Sequence, residues 1–63
     1  TVNGDPQVLD DGVTVADLIT RLQLTPPRVA VEINEHLVRR ATYGETPLRD
    51  GDRIEIVTLV GGG

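Results

Sequence analysis

The side chains that usually serve as nucleophiles are almost absent from this chain of 63 residues, which has no Ser, no Cys and no Lys. Thr, the single Tyr43 and carboxylates remain, with one candidate base near neutral pH, His36. His36 stands in the polar stretch Asn34-Glu35-His36, which reads as an exposed turn. A lone His without HxxxH or HxxE spacing does not build a metal site. Asp50-Gly51-Asp52 lacks the further ligands and closing Glu of a calcium loop and reads as a turn. Asp10-Asp11 reads as two solvated carboxylates at a strand end. Independent catalysis is not expected, and no bound cofactor or metal is expected either. Arg39-Arg40 fits a solvated surface or a pair that docks on an acidic partner.

The reactive group this sequence does offer is at its end, Gly61-Gly62-Gly63. Glycine has no Cβ, so such a tail is thin, and three extended residues reach about 10 Å. No Lys, Thr or helix follows, which excludes a phosphate-cradling loop. Two readings stand: a linker-like or engineered end, or a probe that enters a narrow active site on another protein. A terminal carboxylate becomes a useful electrophile once ATP converts it to an acyl adenylate. An enzyme closing around the last peptide units would tolerate no side chains there.

The remaining residues must form whatever holds that tail. At this length one domain is expected, spanning 1–63, with an aliphatic core: Phe, Trp, Met and Cys are missing. The absence of Cys rules out a disulfide framework and disfavours a secreted mini-protein. No apolar run is long enough for a membrane span or a signal-peptide core, so a soluble, cytoplasmic monomer is expected. The chain opens on Thr1-Val2 without a Met, a start that reads as lying inside a strand, and residues are expected to precede it. The net charge of −4, and six Arg spread along the chain with no aromatic beside them except Tyr43, argue against nucleic acid.

Pattern gives the elements. Thr1 to Asn3 reads as a strand end, Asn3-Gly4-Asp5-Pro6 as a hairpin turn, and Gln7-Val8-Leu9 as the return strand. Thr14-Val15-Ala16-Asp17 fits a capping box, and Val15, Leu18, Ile19 and Leu22 form one apolar helical stripe. Pro26-Pro27 is expected to stop that helix, with Leu24 tucked under its exit. Val29, Val31 and Ile33 alternate as a half-buried strand, and Leu37-Val38 returns beside it. Arg39 to Glu45 has no period and reads as loop or a single helical turn. The last strand runs from Arg53 to Val60, with Ile54, Ile56 and Thr58 on one face and Glu55, Val57 and Leu59 on the other. One apolar helix stripe on one sheet face predicts an α+β two-layer domain.

Several stretches together are similar to one family. They are Val29-Ala30-Val31-Glu32-Ile33-Asn34, Leu37-Val38-Arg39-Arg40, Thr46-Pro47-Leu48, Asp50-Gly51-Asp52-Arg53-Ile54-Glu55-Ile56-Val57 and the closing Val60-Gly61-Gly62-Gly63. With Val2-Asn3-Gly4 and Thr14 to Leu18, they resemble the ThiS family of thiamine-pathway sulfur carriers over essentially the whole chain. The resemblance implies a ubiquitin-like β-grasp fold, one helix on a mixed four- to five-stranded sheet. It also implies a carrier acting as a co-substrate rather than an enzyme. An E1-like adenylyltransferase of the ThiF type would use ATP and Mg²⁺ to activate Gly63. A cysteine desulfurase or related donor would then supply sulfur to give a thiocarboxylate. A thiazole synthase of the ThiG type would consume it.

In that scheme Gly61, Gly62 and Gly63 enter partner active sites. Val57 and Leu59 on the outward sheet face, with Arg39 and Arg40, are the candidate docking residues, although two alternating apolar neighbours could equally lie in the core. Other β-grasp roles stay open. They are the small subunit of molybdopterin synthase, whose relatives often carry Pro-Pro where Thr58-Leu59-Val60 stands, a carrier for cysteine synthesis, and a non-covalent interaction module. The missing Lys and Cys would also keep an activated tail from reacting with its own chain; a genome that writes Arg for Lys explains the absence as well.

Overall fold

Thr14 opens the only α-helix among the residues described, 1–59 of a computed structural model. The helix, α1, spans Val15–Arg21, and its capping box is complete. The Asp17 N–H donates to the Thr14 hydroxyl at 3.2 Å, and the Thr14 N–H donates to the Asp17 carboxylate at 3.0 Å. A further unpaired amide of the first turn, Val15 N–H, donates to the Thr46 carbonyl at 3.0 Å, which ties the helix start to a later loop.

The end of α1 differs from expectation. Pro26-Pro27 does not stop it; the helix is over by Arg21, and the prolines lie in a separate 3₁₀ turn, Pro26–Arg28. Gln23 adopts a left-handed φ of 59°, and its N–H donates to Thr20 while the Leu24 N–H donates to Ile19, both at 3.0 Å. This is a Schellman closure with Gln where glycine is usual. It turns Leu24 back onto the core as expected and leaves Leu22, the last member of the stripe, exposed.

Three strands follow: β1 (Val29–Ile33), β2 (His36–Val38) and β3 (Ile54–Thr58). The sheet order is β2-β1-β3, and both pairings are antiparallel. Asn34 and Glu35, at φ of 52° and 72°, form the two-residue turn between β1 and β2. Arg40–Glu45 winds as a 3₁₀ helix that buries Tyr43. The Asn34 side chain joins two turns, donating to the Asp52 carboxylate at 3.1 Å and accepting from the Arg53 N–H at 2.9 Å. Gly51 takes the positive φ of 85° that its turn requires.

The expected first hairpin shrinks to its turn. Val2 and Asp5 exchange both backbone hydrogen bonds, but Gln7-Val8-Leu9 is not a strand and Val8 is fully exposed. Pro6 has no N–H to continue the ladder, and of the three residues only Leu9 reaches the core. The N-terminal segment joins the sheet through a single parallel bridge, Val2 to Ile54, and this makes the arrangement mixed. Three named strands plus this bridged segment stand where a four- to five-stranded sheet was expected. Val15, Leu18 and Ile19 of α1 pack on Val29 and Val31 of β1, Ile54 and Ile56 of β3, Val2 and Tyr43. One helix covers one sheet face, the α+β β-grasp arrangement.

Candidate functional site

β3 is the last strand described before Gly61-Gly62-Gly63 in the sequence, and two candidate docking residues, Val57 and Leu59, lie on it or just after it. Ile54 and Ile56 point into the core. Thr58, expected beside them, is exposed, although its register partner Val29 is buried. Val57 and Leu59 point the other way and are 58% and 46% exposed, so neither is a core residue. Leu59 is still anchored, its N–H donating to the Arg28 carbonyl at 2.7 Å. Gly61, Gly62 and Gly63, and the expected strand end at Val60, lie outside the described residues.

The outward face contains more than the alternation showed. Leu37 on β2 is 70% exposed, and Glu32 on β1 lies between it and Glu55 on β3 in the register. Two carboxylates therefore stand directly opposite each other, an arrangement that disfavours the isolated sheet. Ala30, paired with Val57, completes the face. The sequence signal was available, since outward positions of paired strands share a face, but the register that aligns them is a tertiary property. The two arginines are not gathered here. Arg39 and Arg40 follow β2, on the far side of β1 from β3, and both are exposed. Neither joins an ion pair among the described residues.

His36 is exposed at the start of β2. No group of three or more His, Asp or Glu among the described residues is placed to hold a metal ion, and no helix there is long and apolar enough to cross a membrane. The Asp17 carboxyl is shifted from its ordinary pKa. The Thr14 backbone N–H, and then the Thr14 hydroxyl, donating to this carboxylate hold it below the usual range, and Arg21 adds to this.

The sequence model of the ThiS family matches residues 1–63. The chain belongs to the ThiS family. The sulfur carrier protein ThiS of Thermus thermophilus is 36% identical over 62 residues, covering 98% of this chain and 95% of that protein. A crystal structure of the ThiS thiamine biosynthesis protein from Geobacter metallireducens superposes with a TM-score of 0.82 at 33% identity, covering 100% of this chain and 96% of the other. A thiazole synthase of Magnetococcus marinus is 42% identical over 62 residues, covering 98% of this ThiS-family chain. This chain spans 19% of the length of that synthase.

Proposed function

We propose that this ThiS-family domain carries sulfur for thiazole formation in thiamine biosynthesis, with the carboxylate of Gly63 as the working group. The observation that carries this reading is a pair of matches, each covering 98% of this chain. One is to a protein named as a sulfur carrier, the other to part of a protein named as a thiazole synthase. A carrier-like region inside a synthase favours the synthase as the partner that takes the sulfur.

The chemistry runs on the partners' machinery. A carboxylate oxygen of Gly63 attacks the α-phosphorus of ATP, Mg²⁺ assisting, and pyrophosphate leaves. A sulfur nucleophile from a cysteine desulfurase or related donor then attacks the acyl carbon and displaces AMP. With a persulfide as that nucleophile, an external thiol attacks the donor-side sulfur of the resulting acyl disulfide, forms a mixed disulfide with the donor and releases the thiocarboxylate, which the thiazole synthase consumes. The chain's own contribution is positional. A ThiF-type adenylyltransferase docks on the outward face through Val57, Leu59 and Leu37. Arg39 and Arg40 offer a second contact for an acidic surface. The glycines Gly61 and Gly62 deliver Gly63.

Intact mass spectrometry tests the reading, after incubation with ATP, Mg²⁺, a ThiF-type enzyme, a cysteine desulfurase and cysteine. The expected gain is about 16 Da, oxygen exchanged for sulfur, on the full chain and none on a chain lacking Gly63. An unchanged mass with an enzyme set active on another carrier would reject it.

A further inference from the structure

Backbone groups along β3 point alternately to its two sides, and its register with β1 tells which go where. Leu59 bonds Arg28, and Asn34 bonds Arg53, so the hydrogen-bonded pairs with β1 fall at residues 53, 55, 57 and 59 of this side. The N–H and C=O groups of Ile54, Ile56 and Thr58 therefore face away from β1. The chain's own N-terminal segment closes the first two. Ile54 N–H donates to Thr1 and its carbonyl accepts from Asn3, at 2.9 and 2.8 Å. The Asn3 side-chain amide then stands in for a strand residue. It accepts from Ile56 N–H at 2.7 Å and donates to the Ile56 carbonyl at 3.2 Å.

At that point the Asn3-Gly4 turn carries the segment away. Thr58 is the first outward residue of β3 whose N–H and C=O have no hydrogen-bond partner among the described residues. It sits between Val57 and Leu59, whose side chains are exposed, and no charge lies between Ile56 and Val60. Folded proteins usually guard such an edge with charge, proline or a bulge. An open, uncharged, β-forming edge is what an extended backbone segment adds to, whereas a helix has already satisfied its own backbone.

We infer that the edge of β3 at Thr58 accepts an extended backbone segment of the adenylating enzyme, which pairs with the strand and leads the tail into its active site. The inference rests on the sulfur-carrier reading and adds a second mode of contact to the outward face. The occupant donates to the Thr58 carbonyl and accepts from its N–H, and its side chains lie over Val57 and Leu59.

Thr58→Pro is a selective probe, because proline is tolerated where an edge-strand N–H faces outward. Thr58→Val keeps the N–H and the β-branched shape. Adenylation by a ThiF-type enzyme is measured against carrier concentration, with thermal unfolding of each variant alongside. Thr58→Pro is expected to unfold near the wild-type temperature and to raise KM for the carrier about tenfold, the loss of a backbone hydrogen bond. Thr58→Val is expected to match wild type. A folded Thr58→Pro chain with an unchanged KM overturns the inference. So does sedimentation showing that Thr58→Pro abolishes self-association without affecting KM, since a second copy would then own the edge. Hydrogen exchange at the Thr58 amide of the wild-type chain gives a readout that no variant can confound: exchange slows on adding the enzyme, and unslowed exchange overturns the pairing. A wild-type chain that is never adenylated removes the sulfur-carrier reading itself, and this inference with it.

Discussion

Asn3 shows how much one side chain can do that its position in a turn does not reveal. Asn-Gly is legible as a hairpin signal, and the turn forms, with φ of 50° at Asn3 and 86° at Gly4. The same amide also closes both backbone groups of Ile56, 53 residues away, and no local pattern announces a contact at that separation. Asn3→Ala leaves a part-buried N–H and C=O without partners and should destabilise the domain by about 1–3 kcal/mol. Thermal unfolding checks it, at about 4–8 °C per kcal/mol for a domain of this size. Asp17 was equally legible, and its capping role gives a pH dependence. Its folded pKa is depressed, so its contribution is complete above the unfolded value, about 3.9, and is lost as pH falls through the lower folded value. The melting temperature of wild type should exceed that of Asp17→Asn at pH 7, and the gap should close below about pH 4. A gap that persists in acid would place the effect in packing rather than charge.

At the scale of elements, what the sequence showed well was what local chemistry determines, and what it misplaced was set by competition between local signals. The start of α1 followed from Thr14 and Asp17. Its end was assigned to Pro26-Pro27, because proline is a strong stop signal, yet the chain had already reversed at Gln23. Gln in the left-handed region gives no sequence signal, since only the gain from docking Leu24 on the core makes that conformation worthwhile. Gln23→Gly should relieve the strain and stabilise the domain by about 0.5 kcal/mol, the glycine's greater unfolded freedom offsetting part of the gain. Denaturant titration with an unchanged m-value checks this, and destabilisation would mean the Gln23 side chain has a contact of its own. Gln7-Val8-Leu9 failed in the opposite way. Its residues favour a strand, but Pro6 interrupts the ladder and only Leu9 finds apolar surface to cover.

For the molecule as a whole, the proposed function assigns folding and partner contact to different residues, and this separation can be tested. The core is a single small aliphatic cluster around Leu18, Ile19, Val15 and Val31, with little stability to spare at this length. The outward face contributes little to it: Val57 is 58% exposed and paired across from Ala30. That division was half-visible in the sequence. Alternation in Arg53 to Val60 separated Ile54 and Ile56 from Val57 and Leu59, but only the register shows which set the helix covers. Val57→Asp should therefore change stability by no more than about 1 kcal/mol, the usual range for a solvent-facing strand position. It places a third carboxylate beside Glu32 and Glu55 and removes apolar area from the proposed contact. KM for the carrier in adenylation should rise tenfold or more, as for loss of about 1.4 kcal/mol or more at a buried interface position, with kcat within about twofold. A chain lacking Gly63 should behave in the opposite way, binding the enzyme and competing with wild type while yielding no adenylate. If Val57→Asp leaves KM unchanged, the outward face is not where the enzyme docks, and the Arg39-Arg40 side of the sheet becomes the surface to mutate next.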